Sequence, residues 1–293
     1  MVRIGFVGAG RTGTALAVGL SQKACPVVAV SSRTLSSSQK LARLVSNCQV
    51  CYTAQEVADA AELVFITTPD DAITQVCNEV HWHEGQSVVH CSGAHSVDIL
   101  ESAKKLGAVV GSFHPLQTFA DVDQAIANLP GSTFALEAEE PLLSMLKELT
   151  HLLNGNWVVL KPGDKVLYHA AAVFACNYLV TLVKLALDLW LDFKVSSKEA
   201  TRALLPLLRG TINNIENIGL PDCLTGPVAR GDIGTIERHL SALEIWHPSL
   251  LTTYKELGLQ TIPIALAKGT VNEQKAEAMR VLLSFQKVRE RNA

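Results

Sequence analysis

Four groups of residues in this chain have types and spacing that could do chemistry. Near the start, IGFVGAGRTGTALAVGL places Gly8, Gly10 and Gly13 in G-x-G-x-x-G spacing, with Ala9, Arg11 and Thr12 between them. Such a turn brings backbone close to a pyrophosphate and aims the free amides of a following helix at the anion. In GSFHPLQTF (111–119), His114 ends an apolar run and is followed by Pro115 and Gln117. A titratable ring in that place can be a capped turn residue, a metal ligand or a proton donor. The third group is a polar stripe on an apolar helix, where Lys165 and His169 stand four apart, as do Asn177 and Thr181. His169 and Asn177 are eight residues apart, roughly 80° at about 100° each on a regular helix, and so share a broad face. The fourth is LTGPVARGD, a turn with Thr225 and Arg230. Arg230 can clamp a carboxylate through its fork of donors, or pair with Asp232 as a structural bridge.

Eight candidate strands must position these groups: RIGFVG, PVVAVS, QVCYT, ELVFITT, QSVVHCS, GAVVGSFH, STFALE and NWVVLK. Helical patterns such as SSSQKLARLVSN and EEPLLSMLKELTHLLN fill most of the gaps. Alternation of this kind predicts a mostly parallel sheet covered by helices. From about residue 163 only helical periodicity follows, and KPGDK (161–165) supplies the break. The expected fold is α/β, a doubly wound Rossmann-type domain over 1–161 followed by an all-α domain over 162–293.

Ligands in such sheets lie beyond the carboxyl ends of the strands. The second strand ends VAVSSRT, without the carboxylate that binds the ribose hydroxyls of NAD. Ser31, Ser32 and Arg33 stand there instead and suit a 2′-phosphate, with Arg11 as a second cation, so the expected cofactor is NADP. The fourth strand ends FITTPDDAI, placing Thr67, Thr68 and Pro69 along the cofactor, with Asp70 and Asp71 capping the next helix. The fifth ends VVHCSGA, placing Ser92 and Gly93 near the nicotinamide, and the sixth delivers His114 to the same rim.

Composition sets limits on the rest. The formal net charge is −3 with the basic residues dispersed, which gives no footprint for nucleic acid or a membrane surface. The first residues break into glycines before a signal peptide's apolar region could develop, and seven cysteines do not read as a disulfide framework, so the expected location is the cytoplasm. Residues 165–187, KVLYHAAAVFACNYLVTLVKLAL, are long enough for a membrane span. His169, Asn177 and Thr181 interrupt them, and the expectation is burial in protein or in a subunit interface, hence a homodimer through the C-terminal helices. The pairs Cys48/Cys51 and His81/His83 lack further ligands at metal spacing, so no metal site is expected. Cys91 stands next to Ser92 without an identified base.

Taken together, GSFHPLQTF, HAAAVFACNYLV and LTGPVARGD resemble a largely uncharacterised bacterial family of Rossmann-like NADP oxidoreductases whose C-terminal half is a domain of unknown function. That family lies within the β-hydroxyacid dehydrogenase and pyrroline-5-carboxylate reductase-like superfamily. The resemblance implies an NADP-binding domain joined to a helical, usually dimerising one. β-Hydroxyacid dehydrogenases carry a catalytic lysine four residues before an asparagine on the first long helix after the Rossmann domain. Asn177 matches that asparagine, but the lysine position holds Val173. The expected activity is reduction of a small carboxylated ketone or imine, like ketopantoate or pyrroline carboxylate, with His114 or His169 as proton donor and Asn177 beside it. Gln117, Thr225 and Arg230 are the expected substrate contacts. The alternative is a non-catalytic NADP-binding regulator.

Overall fold

A computed structural model describes residues 1–284, in two compact units that meet at Tyr178 and Leu179 in the sequence. The first unit contains one eight-stranded sheet in the order β3-β2-β1-β4-β5-β6-β7-β8. Its strands are β1 (Ile4–Val7), β2 (Val27–Ser31), β3 (Gln49–Val50), β4 (Leu63–Ile66), β5 (Ser87–His90), β6 (Val109–Leu116), β7 (Thr133–Ala138) and β8 (Asn156–Val159). All neighbours run parallel except β6 and β7, which are antiparallel. The doubly wound sheet is therefore present, and the strand order reverses between β1 and β4. The helices between the strands are α1 (Arg11–Gln22), α2 (Leu35–Leu44), α3 (Ala54–Ala60), α4 (Asp70–Glu79), α5 (Glu101–Lys105), α6 (Val122–Asn128) and α7 (Leu142–Leu152).

Parallel strands buried on both faces need apolar residues throughout, and β1 and β4 (IGFV and LVFI) are buried at every position. One face carries the rings of Phe6, Phe65, Phe113 and Phe134, with successive centroids 5.2, 5.7 and 4.6 Å apart. The other face is apolar around Val64, Ile66 and Val88 but changes character toward β7. Ser112 pairs with His90 on β5 and with Glu137 on β7, while His114 pairs with Ala135. Residues directly opposite on paired strands share a face. His90, Ser112, His114 and Glu137 therefore form a polar patch on the side of the sheet away from Phe113.

After β8 the chain enters a single helical rod, composed of α8 (Lys165–Ala172), a π-helical turn (Val173–Asn177), α9 (Tyr178–Trp190) and a short 3-10 turn (Leu191–Phe193). The π turn breaks the regular 3.6-residue phase between His169 and Asn177, so angles counted along a straight helix do not apply across it. The rod is 29 residues long, and its most apolar 18-residue window has a mean hydropathy of 1.8 and is not buried at all. Within one chain, then, the expected burial of this helix is not realised: Val166, Leu167, Phe174 and Val180 are exposed.

The second unit, from Leu179, holds α9 and then α10 (Ser197–Asn217), α11 (Pro227–Arg230), α12 (Ile233–Trp246), α13 (Pro248–Ala267) and α14 (Glu273–Ser284). A capping box of Ser196 and Glu199 starts α10, and Asp232 caps α12 by accepting from the Thr235 amide. The core is small, built on Ile236, Ile262, Ala265 and Met279, whereas Leu207, Ile212, Ile218, Ile245 and Trp246 stand in solvent.

Phe113 is fully buried between two rings. Phe113→Ala should lower unfolding free energy by about 3–5 kcal/mol, read from urea titration; a loss below about 1 kcal/mol would show that the stack is not a main contributor.

Candidate active site

The switch point between β1 and β4 is where the glycine turn lies. Gly8 has φ +113°, and a Cβ there would stand 2.7 Å from the Thr67 carbonyl carbon. Gly13 is similarly crowded by the Thr67 hydroxyl and by the Gly8 carbonyl oxygen. Thr67 Oγ1 donates to that same carbonyl at 2.7 Å, so the β4 end clamps the turn from below. Gly10 differs: no atom lies within 4 Å of the position its Cβ would take. The turn is thus packed where it meets the sheet and open where an anion would approach. The first turn of α1 contains no acidic residue and no side-chain cap, which leaves its amides and positive end available. The Thr68 hydroxyl is buried with no hydrogen-bond partner among the described residues. These features fit a dinucleotide, which the backbone of Gly8 to Gly13 could hold with Thr67, Thr68 and Pro69 alongside.

Other residues expected around the cofactor are placed with more varied roles. Ser31 is buried at the end of β2 and its carbonyl accepts from the Gly8 amide at 2.8 Å. Ser32 and Arg33 follow, Arg33 in solvent. Arg11 donates from Nη1 to the Ala120 carbonyl at 2.9 Å, tying the glycine turn to the loop after β6. Pro69, and not Asp70 or Asp71, is the N-cap residue of α4; both acids sit in its first turn and complement the helix dipole there.

In the sequence Lys165 is only one member of a polar stripe; in the structure it takes the central place. Its side chain is 1 % exposed, and Nζ donates to the Ser92 carbonyl at 2.7 Å and to Ser112 Oγ at 2.6 Å. The first residue of the long apolar rod is therefore seated over the carboxyl ends of β5 and β6. Burial pulls its pKa down to about 8, against the upward pull of Glu137, Cys91 and Asp70. Around it, Ser92 Oγ donates to Asp70 at 2.7 Å and accepts from the Ala94 and His95 amides. Glu137, 4 % exposed, accepts from Ser96 Oγ at 2.5 Å and from the Val97 amide at 3.3 Å. The alternation in GSFHP was a signal for Ser112, since strand periodicity puts it on the same face as His114.

His114 lies beside this cluster, its Nδ1 2.7 Å from Tyr168 Oη on α8. Its ring covers Gly93 so closely that a Cβ at Gly93 would stand 2.7 Å from Nε2. Burial, then the Lys165 charge, lower the His114 pKa to about 3. Burial also raises the Tyr168 phenol, which stays protonated. His169 is half-buried one residue further along α8, and Asn177 ends the π turn. Burial pushes the Cys91 thiol up to about 12, so it is not a thiolate nucleophile at neutral pH. Gln117 is occupied in bracing its own loop, donating to the Asn128 carbonyl and to Ser132 Oγ. In the second unit, Thr225 and Arg230 are exposed, and among the described residues Arg230 forms no ion pair with Asp232. No cluster of three or more potential metal ligands occurs among the described residues.

Residues 1–115 match the model of a Rossmann-like domain, and residues 132–261 match that of a domain of unknown function, DUF2520. No curated protein matches the chain. Among solved structures, it resembles a candidate NADP oxidoreductase of Bacteroides fragilis at 26 % identity and a TM-score of 0.73, covering 89 % of this chain and 98 % of that one. A 1-pyrroline-5-carboxylate reductase of Streptococcus pyogenes matches at 17 % identity and a TM-score of 0.62, covering 91 % and 98 %. A reductive aminase of Aspergillus terreus, solved with NADPH and ethyl-5-oxohexanoate, matches at 16 % and 0.62, covering 97 % and 92 %. The last two share the fold.

The buried histidines make a stability prediction. His90, fully buried with Nε2 unpartnered among the described residues, is lowered by burial to about 3, as is His114. Between those values and the ordinary 6.5 the unfolded chain binds more protons than the folded one. Their contribution to stability is therefore complete above pH 6.5 and is lost as pH falls toward 3. His90→Asn should flatten the acid-side slope of unfolding free energy in urea titrations between pH 7 and 4; an unchanged slope contradicts the neutral assignment.

Proposed function

We propose that the protein is an NADPH-dependent oxidoreductase that reduces the carbonyl or imine carbon of a small carboxylated substrate, with Lys165 as the proton donor. The observation that carries this reading is a buried ammonium seated on the rim that also holds the dinucleotide turn. NADPH, when bound, supplies the hydride. The chain must then provide a proton for the oxygen or nitrogen that gains charge, and a group with a pKa near the working pH does this best. Lys165, at about 8, is still mostly protonated at neutral pH and poised to give its proton up. The Ser92 carbonyl and Ser112 Oγ hold the ammonium in place. His114 is neutral in that range and places the substrate: with the Tyr168 phenol donating to Nδ1, the ring hydrogen stands on Nε2 as a hydrogen-bond donor. His169, next to Tyr168 on α8, and Asn177, at the end of the π turn, are proposed as secondary contacts. The Val173 departure, which favoured a regulatory role, loses its force once Lys165 supplies the proton.

NADP is favoured over NAD by the absence of a carboxylate after β2 and the presence of Ser32 and Arg33 there. The working form is proposed to be a homodimer in the cytoplasm. Unburied apolar residues on the rod and on α10 call for a cover, and all seven cysteines are free.

In a screen of 2-oxo acids and cyclic imines, NADPH should be oxidised with at least one substrate. Lys165→Met should lower kcat by about two to four orders of magnitude while NADPH fluorescence titration shows binding retained. A Lys165→Met enzyme that turns over like the parent would remove the assignment. Arg33→Ala should weaken NADPH binding about tenfold or more, the size of a lost charge-assisted contact, and leave NADH binding nearly unchanged; equal losses for both cofactors would count against the 2′-phosphate contact.

A further inference from the structure

Glu137 is the one carboxylate on the polar patch of the sheet, and burying a charge is costly unless something compensates it. Two hydrogen bonds, from Ser96 Oγ and the Val97 amide, satisfy part of its capacity. Among the described residues it forms no ion pair within 4.0 Å. Its position is specific. It lies directly opposite Ser112 in the β6–β7 register, and Ser112 Oγ is one of the two atoms that receive Lys165 Nζ. Carboxylate and ammonium are thus neighbours across one side chain, both removed from water, where their mutual field is weakly screened.

Building on the reading of Lys165 as proton donor, we propose that Glu137 is a positioning residue that keeps the Lys165 ammonium charged and seated against Ser112. Among the other groups facing Lys165, the two buried histidines disfavour the ammonium, and Cys91 and Asp70 favour it less than Glu137 does. From β5 and its loop come His90, which disfavours the ammonium, and Cys91; from the start of α4 comes Asp70, which is exposed; from β6 comes His114; and on α8 itself are Tyr168 and His169. Glu137 is first among the groups that raise the lysine, against the larger effect of its burial. The proton donor then works as a pair: burial weakens the amine's hold on its proton, and the carboxylate offsets that loss. A purely structural Glu137, anchoring the Ser96–Val97 segment, would make the same hydrogen bonds without influencing Lys165.

The test needs neither substrate nor cofactor, so it can fail while the proposed activity stands, and the reverse. Lysine 13Cε NMR of the full chain, with the Lys165 signal assigned by its absence in Lys165→Met, gives the midpoint directly. Glu137→Gln should lower that midpoint by about one unit or more, a tenfold loss of proton affinity. Ser96→Ala removes the anchoring hydrogen bond but keeps the charge, and should move it by less than about 0.3 units. Glu137→Met, of similar length and uncharged, should lower the Lys165 midpoint in the same way and decides if Glu137→Gln does not fold. An unmoved Lys165 midpoint in Glu137→Gln or Glu137→Met, or an equal shift in Ser96→Ala, overturns the proposal.

Discussion

The burial of one ammonium group is the constraint around which the first unit is arranged. A lysine withdrawn from water must be surrounded by acceptors, or it gives up its proton. Lys165 finds a main-chain carbonyl where β5 ends and a hydroxyl on β6, with a carboxylate one strand beyond. These demands explain why a sheet whose central strands are apolar on both faces becomes polar on one face at β5 to β7. They also explain why the long apolar rod begins with a charged residue. Its first turn belongs to the sheet, whatever covers the rest of it.

Two loops converge on that rim for different physical reasons. The turn after β1 is dictated by close approach: Gly8 needs a left-handed backbone against Thr67, and Gly10 keeps its outer side clear. The segment after β5 is dictated by hydrogen bonding, since Ser92 Oγ serves the Ala94 and His95 amides and the Asp70 carboxylate at once. Arg11 connects the glycine turn to a third loop through the Ala120 carbonyl.

Much of this was legible in the sequence. All eight strands fall where apolar runs bounded by glycine, proline and polar clusters place them, most of them a few residues shorter than the pattern; the edge strand β3 keeps only two residues, since Thr53 already caps α3. The glycine turn was legible because its spacing reflects steric needs that no other residue meets. Lys165 was harder to read, because a lysine at the head of an apolar helix looks like a solvated end. Its burial depends on which strands lie beneath it, and that follows from tertiary packing. The helix phase was misleading for a similar reason, as the π turn at Val173–Asn177 leaves no mark in residue spacing. Glu137 was hidden within STFALE, where a carboxylate reads as the solvent side of an alternating strand.

The alternation Ser112, Phe113, His114 on β6 ties the site and the core to a single reading frame. Side chains on a strand have a period of two, so a slip of one residue would push both polar groups into the aromatic stack and swing the phenylalanine under Lys165. Neither half of that exchange is tolerable. Insertions and deletions are thus barred from within 109–116. Chemical change on this strand must come by substitution in place, at a fixed chain length within β6.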